Sequence, residues 1–231
     1  MANLNKVCFI TCVNDESTYE RCLNHIRALH VPVGMQAEVI AIREAASMAA
    51  GYNAAIKATE AAYKVYLHQD TFILNRAFIA SLIDLFRTNE RLGMLGVVGA
   101  GKVPESGIWW EAANRYGKVI EYRHTYGYLN FQEFEHNLRL VEAIDGLLIA
   151  TQYDIPWRED LFTGWHLYDT SQCYEFLRQG YQVGVPRQDV PWVLHACGNE
   201  FDSGAYDQYR RIFQQEYLSE QKKDAMVDLN G

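Results

Sequence analysis

The stretch Tyr63-Lys64-Val65-Tyr66-Leu67-His68-Gln69-Asp70-Thr71 decides how this chain is read. It opens as a mostly apolar run of strand character and ends on two side chains that can ligate a metal, with one residue between them. Side chains alternate along a strand, so extended geometry puts His68 and Asp70 on one face. In an open α/β sheet, ligands bind in the crevice beyond the carboxyl ends of the strands, which makes this terminus the first candidate for chemistry. One carboxylate and one imidazole leave positions open for phosphate oxygens on a divalent cation such as magnesium or manganese.

Upstream, residues 7–13 form an apolar strand, and Asn14-Asp15-Glu16-Ser17 supplies turn residues and a helix cap. Cys22, Leu23, Ile26 and Leu29 then recur at helical spacing. A second strand over 37–42 ends at Arg43-Glu44, and an alanine-rich helix over 47–62 returns the chain to the central stretch. Downstream, Asn75 caps a helix with Phe78, Leu82, Leu85 and Phe86 on its buried stripe, and a strand over 92–98 runs into Gly99-Ala100-Gly101. This alternation predicts an α/β fold, a single Rossmann-like domain whose mostly parallel central sheet is flanked by helices.

From about 101 to 140 the chain carries Trp109-Trp110 and many tyrosines with no clear period, which predicts loops and short strands over one end of the sheet. A strand over 141–150 has a polar break at Asp145-Gly146, a helix runs from near Tyr168 to Gly180, and a short strand covers 181–186. Residues 192–195 form a strand end or a loop. Tyr209, Ile212, Phe213 and Tyr217 give the tail over 206–223 a helical face, which would dock across the body or across a second subunit in a homo-oligomer. No linker divides residues 1–231.

The 231 residues are 49% hydrophobic and 22% charged, an ordinary globular composition with no low-complexity segment. A net charge of −8 argues against nucleic acid, whose non-specific affinity comes from Lys and Arg displacing counterions. No apolar run is long enough to span a bilayer, so a membrane would be contacted only peripherally. The first residues carry no basic segment followed by an apolar one, which predicts a cytoplasmic protein. The five cysteines lack Cys-x-x-Cys spacing and are expected to be reduced.

The helix carrying Ser47 to Ile56, followed by the strand into His68-Gln69-Asp70, resembles the glycosyltransferases of the GT-A fold. More narrowly it is similar to the bacterial glycosyltransferase-like group, whose members serve capsule and surface-glycan synthesis and are related to the large inverting family 2. Residues 141–150 and Trp165-His166-Leu167-Tyr168-Asp169 extend the likeness, which covers about residues 6 to 200. It implies a donor half over about 1–100, an acceptor half over about 101–200 and a helical tail over 201–231. It also implies a metal-dependent enzyme that moves a sugar from a nucleotide-diphosphate sugar, UDP-linked by expectation, to a hydroxyl of a glycan or lipid-linked acceptor.

The resemblance also implies roles. Thr11, Val13, Asn14 and Glu16 match the loop that cradles the nucleoside, and Arg43 stands where a base-contacting carboxylate often ends the second strand. Met48 and Asn53 match the helix lining the donor pocket, and His68 and Gln69 flank the diphosphate. Asp70 matches the metal-binding aspartate, His68 replaces the first aspartate of that motif, and His195 completes the metal site. Asp169 matches the base that removes the acceptor proton, with inversion at the sugar. Asp145, Gly146, Trp109 and Trp110 fall on the acceptor side, where flat aromatic faces suit sugar rings.

Two other readings stay open. A non-catalytic nucleotide-sugar-binding protein would keep the pocket without turnover. A sugar-nucleotide pyrophosphorylase would call for a glycine-rich basic loop after the first strand, where this chain has Asn14-Asp15-Glu16.

Overall fold

The computed structural model describes residues 2–198 and 202–219. In chain order, β1 (Asn3–Val13), α1 (Glu16–Arg27), β2 (Gln36–Arg43), α2 (Met48–Ala58), β3 (Ala61–Leu67) and β4 (Thr71–Ile73) build the first part. They are followed by α3 (Phe78–Thr88), β5 (Leu92–Gly96), β6 (Val98–Ala100), a single 3-10 turn at Trp109–Glu111, β7 (Arg115–Arg123) and β8 (Thr125–Asn130). Next come β9 (Leu138–Val141), β10 (Ala143–Ile144), β11 (Leu148–Thr151), α4 (Tyr168–Arg178), β12 (Gln182–Pro186), β13 (Val193–His195) and α5 (Ser203–Phe213), the last ending in a π-helical turn, Gln214–Leu218.

The main sheet has the order β2-β1-β3-β11-β5-β12-β9. Strands β1, β2, β3, β5 and β12 point one way, while β11 and β9 run against them. The expected largely parallel α/β sheet is present, with reversed strands where the second half of the chain enters. A second sheet, β10-β6-β7-β13-β4 with β8 beside β7, takes β4 and β6 directly from the carboxyl ends of main-sheet strands. Only His68-Gln69-Asp70 separates β3 from β4, and only Val97 separates β5 from β6. The chain therefore changes sheets where α/β ligands bind.

Burial explains the boundaries. Asp15 caps α1 by accepting N–H bonds from Ser17 and Thr18 at 2.9 and 3.2 Å, and Cys22, Leu23 and Ile26 cover the sheet. The alanine-rich helix stops at Ala58 rather than Ala62: Thr59 is extended, and Ala61 and Ala62 open a strand that is buried along its whole length. Sheet pairing on both sides outweighs alanine's helix propensity there. Asn75 accepts the Ala77 N–H at 3.0 Å, but α3 itself begins at Phe78. The strand expected over 141–150 is three short strands, because Asp145 accepts the Leu147 N–H at 2.8 Å and turns the chain from the second sheet into the main one.

The aromatic segment contains a real hairpin, β7–β8, closed by His124 in the left-handed region (φ 63°). Residues 193–195 resolve as a strand. The tail docks on its own chain through Tyr206, Tyr209, Phe213 and Tyr217, with Arg158 and Arg178 both reaching Glu216 at 3.1 and 3.2 Å; residues 220–223 of the expected helix lie outside the described residues. Among the described residues, no helix is long and apolar enough to cross a membrane.

Asn53, buried in α2, donates to the Trp157 carbonyl at 2.9 Å and accepts the Trp157 N–H at 2.8 Å. Truncating it strands two buried backbone groups, each costing about 1–3 kcal/mol. Asn53→Ala is therefore expected to lower the urea midpoint with an unchanged m-value, and a midpoint within error of wild type would remove this brace from the account.

Candidate active site

A cleft of about 730 Å³ opens where the two sheets meet, and His68, Asp70, Trp109, Trp110, Asp145, Gly146, Asp169 and His195 all line it. Three elements converge there: the β3–β4 connection, the β10–β11 turn and the start of α4, with β13 alongside. His195 pairs with Thr71 across β13 and β4, which brings its ring beside Asp70. Its Nε2 lies 3.4 Å from Asp70 Oδ1, and that oxygen is buried with no hydrogen-bond partner among the described residues.

His68, Asp70 and His195 each present a ligand atom within 4.8 Å of the others, so the set can hold one cation. Burial and the His195 ring hold His68 below its ordinary value, leaving it neutral as a ligand must be. Burial pushes Asp70 up, but the charged His195 ring beside it outweighs that and holds the carboxyl below its ordinary value. Burial pushes His195 down, yet Asp70 and Cys197 beside it lift the imidazole to about 10, so without a metal it is the charged partner of Asp70 and must give up a ring proton when a cation binds. An orphaned buried carboxylate oxygen between two imidazoles fits a divalent cation, and two nitrogen donors favour manganese over magnesium.

At the other end of the cleft, Leu167 adopts the left-handed region (φ 59°) although its side chain is buried, and this strained residue starts α4 so that Tyr168 and Asp169 turn inward. Asp169 Oδ2 accepts the Gly146 N–H and Oδ1 accepts the Thr170 N–H, both at 2.8 Å. Burial, with Asp145 nearby, raises this carboxyl to about 7 against the pull of those backbone bonds. The Tyr168 hydroxyl lies 2.5 Å from His68 Nε2 and donates to the Gly146 carbonyl at 3.3 Å. A continuous path of contacts thus joins the histidine-carboxylate cluster to Asp169.

Gly146 is the tight point on that path. A Cβ there would overlap the Tyr168 hydroxyl and stand 3.1 Å from Asp169 Oδ2. Because a shift of about 1 Å in reacting groups can cost on the order of 10²-fold, Gly146→Ala is expected to cut turnover by that order while far-UV circular dichroism is retained. Unchanged turnover would mean that the path does not position Asp169.

The remaining candidates do not line this cleft. Gln69 turns to the neighbouring loop, where Oε1 accepts the N–H groups of Asn14 and Asp15 at 3.0 Å and Nε2 donates to the Asn14 side chain. Arg43 makes a two-pronged ion pair with Glu16, at 2.6 and 3.0 Å, over the ends of β1 and β2. Thr11 is buried in β1, Val13 packs with Tyr19 and Leu23, Met48 is buried and Asn53 is committed to Trp157. Val13, Asn14, Glu16, Arg43 and Gln69 stand at or just beyond the carboxyl ends of β1, β2 and β3, outside the lining of the cleft.

Trp109 is buried and supports Trp110, which is 39% exposed and contacts the Tyr206 ring at 5.1 Å. Sequence reasoning did not single out Arg115, Glu121, Arg123, Cys197 or Tyr206, which also line the cleft. A signal existed for Cys197: His195-Ala196-Cys197 repeats the one-residue spacing of His68-Gln69-Asp70.

Against known proteins, residues 8–217 match the family described as Glycosyltransferase like family. A comparison with curated protein sequences finds no match. Among solved structures, the chain is similar to the mannosyltransferase PcManGT from Pyrobaculum calidifontis, in complex with GDP-Man and Mn2+, with a TM-score of 0.53 and 12% identity over 83% of this chain and 56% of that one. It is also similar to residues 1–349 of TarS from S. aureus, with a TM-score of 0.51 and 14% identity over 83% of this chain and 60% of that one. The chain thus spans little more than half the length of these structures, and at such identity the likeness speaks for the fold, which is GT-A. With the family matched over nearly its whole length, the chain belongs to the glycosyltransferase-like family.

Proposed function

We propose that this protein transfers a sugar from a nucleotide-diphosphate sugar to a hydroxyl acceptor, with inversion, and that Asp169 is the base. The observation that carries the reading is that Asp70 and Asp169 line one cleft, where burial raises the Asp169 carboxyl to about 7. A base is most useful when its pKa lies near the working pH, high enough to take a proton and low enough to be ionised. The Gly146 and Thr170 N–H groups hold the carboxylate in one orientation towards the cleft.

Asp70, His68 and His195 would hold a divalent cation, manganese in preference to magnesium. Such a cation, when bound, offsets the charge that develops on a departing diphosphate. Tyr168 holds the His68 ring, and Gln69 ties the end of β3 to the Asn14-Asp15 loop. Trp110 offers an aromatic face to an acceptor ring.

A uridine diphosphate sugar is the first donor to test, and the GDP-Man of the Pyrobaculum neighbour makes a guanosine diphosphate sugar the second. The acceptor class is a glycan or lipid-linked hydroxyl of the kind used in surface polysaccharide synthesis. Nucleoside diphosphate release should be followed with each donor, manganese and a panel of sugar acceptors. Release that rises with acceptor supports transfer; donor binding with no release under any combination would make the protein a binder and defeat the proposal.

A further inference from the structure

The cleft contains a second ligand cluster, of which the proposed transfer uses only His195. Glu121, His195 and Cys197 present ligand atoms within 4.8 Å of one another, and all three line the cleft. The register makes the grouping structural rather than accidental. In the parallel pair β7–β13, His195 stands directly beside Glu121, while on its other side β13 pairs with β4 and His195 stands beside Thr71, next to Asp70. Ala196 donates its N–H to the Asp70 carbonyl at 2.8 Å, which fixes the chain between His195 and Cys197.

His195 is therefore the centre of a row, with a hard carboxylate on one side and a carboxylate plus a thiol on the other. The two sets differ in softness. Thiolate with imidazole selects zinc-class ions, whereas the first set, with no sulfur, suits harder cations. The competing ion pair is weak: Arg123 Nε stands 3.7 Å from Glu121 Oε2, beyond hydrogen-bond reach.

We infer that Glu121, His195 and Cys197 form a second cation site of zinc class that shares His195 with the Asp70 site, so that zinc antagonises manganese. The antagonism rests on the reading of His195 as a member of the first set; the second site itself does not. Coordination releases the Cys197 thiol proton and the extra ring proton of His195 to solvent, and Glu121 and Cys197 supply two negative charges to the ion. Three protein ligands would leave a four-coordinate ion one position for water or a ligand.

Cobalt(II), a spectroscopic stand-in for zinc, tests the site in the full chain without any activity assay. Titration of the wild type should develop a near-ultraviolet sulfur-to-cobalt charge-transfer band. Cys197→Ser should abolish it and Asp70→Asn should keep it. Glu121→Gln should weaken cobalt binding by at least the roughly 10–100-fold that losing an outer-shell partner costs. Absence of the band in wild type, or its survival in Cys197→Ser, overturns the site. Sharing is tested by manganese electron paramagnetic resonance: zinc should displace manganese from wild type at a lower concentration than from Cys197→Ser, where it competes only for the first set; equal displacement in the two proteins, or simultaneous binding of both ions, would overturn it. If wild type binds no manganese at all, the first-site reading and the antagonism fail, while the cobalt titration still decides the second site.

Discussion

Replacing Asp169 with Asn is expected to lower the rate of sugar transfer by roughly 10²–10⁴-fold, the usual worth of a positioned general base. The amide has the same shape, so the cleft is kept, but it cannot accept the acceptor's proton. It also has one oxygen where the carboxylate has two, so either the Gly146 or the Thr170 N–H loses its acceptor. Donor affinity, measured by calorimetry, should stay close to wild type, so that the loss falls on turnover. Full turnover in this variant, with a verified donor and acceptor, would remove Asp169 from the chemistry.

The same residue sets a pH dependence. A base works when deprotonated, and burial with Asp145 nearby raises Asp169 to about 7, so wild-type turnover should rise with pH through that value. Stability runs the other way. The unfolded chain gives up this proton near the ordinary value of 3.8, whereas the native state holds it to about 7. Between those values the native state binds more protons, so this group's contribution to stability falls as pH rises. Asp169→Asn should remove that part of the slope, measured as urea midpoints between pH 5 and pH 8.

Asp70→Asn carries the second large effect. Asp70 is the only carboxylate in the first ligand set, and its buried Oδ1 has no hydrogen-bond partner among the described residues and only the 3.4 Å ion pair with His195, so the variant loses the charge that would hold the cation and also uncouples His195. Cation stabilisation of a leaving diphosphate is worth several kcal/mol, which converts to a fall in turnover of roughly 10²–10³-fold or more. Chelation of the wild type should reproduce the defect, and manganese should restore the wild type far better than the variant. Retained manganese affinity in Asp70→Asn would place the cation elsewhere.

What the sequence could and could not reveal follows from the range of the interactions. The strand into His68-Gln69-Asp70 was legible because apolar burial is written locally, even with Lys64 inside it; that lysine is buried and bonds Asp154 at 2.7 Å and the Ala61 carbonyl at 2.6 Å. Strand β7 was hidden for a related reason. Lys118 is buried with its Nζ 2.8 Å from Glu133, so a charged residue stands in the alternating pattern that would have marked a strand. Asp145-Gly146 could be read as a break, but the passage from one sheet to the other depends on the Asp145 N–H reaching the Val98 carbonyl at 3.1 Å.

Side-chain commitments were further out of reach. Nothing local shows that the Asn53 amide is spent on Trp157, 104 residues away, or that Gln69 spans 55 residues to Asn14. The grouping of Glu121 with His195 and Cys197 likewise exists only through the register of β7 against β13. Asp169 was proposed through the family pattern alone, and its raised pKa depends on burial and then on the approach of Asp145, which only the folded chain supplies.

The most direct measurement is a crystal structure of the full chain with uridine or guanosine diphosphate and manganese, with the metal located by its anomalous signal. The account predicts manganese bonded to Asp70 with His68 and His195 beside it, the diphosphate on that metal, and Asp169 across the cleft from the leaving group. Manganese and diphosphate bound away from Asp70, or Asp169 lying on the diphosphate side, would contradict it.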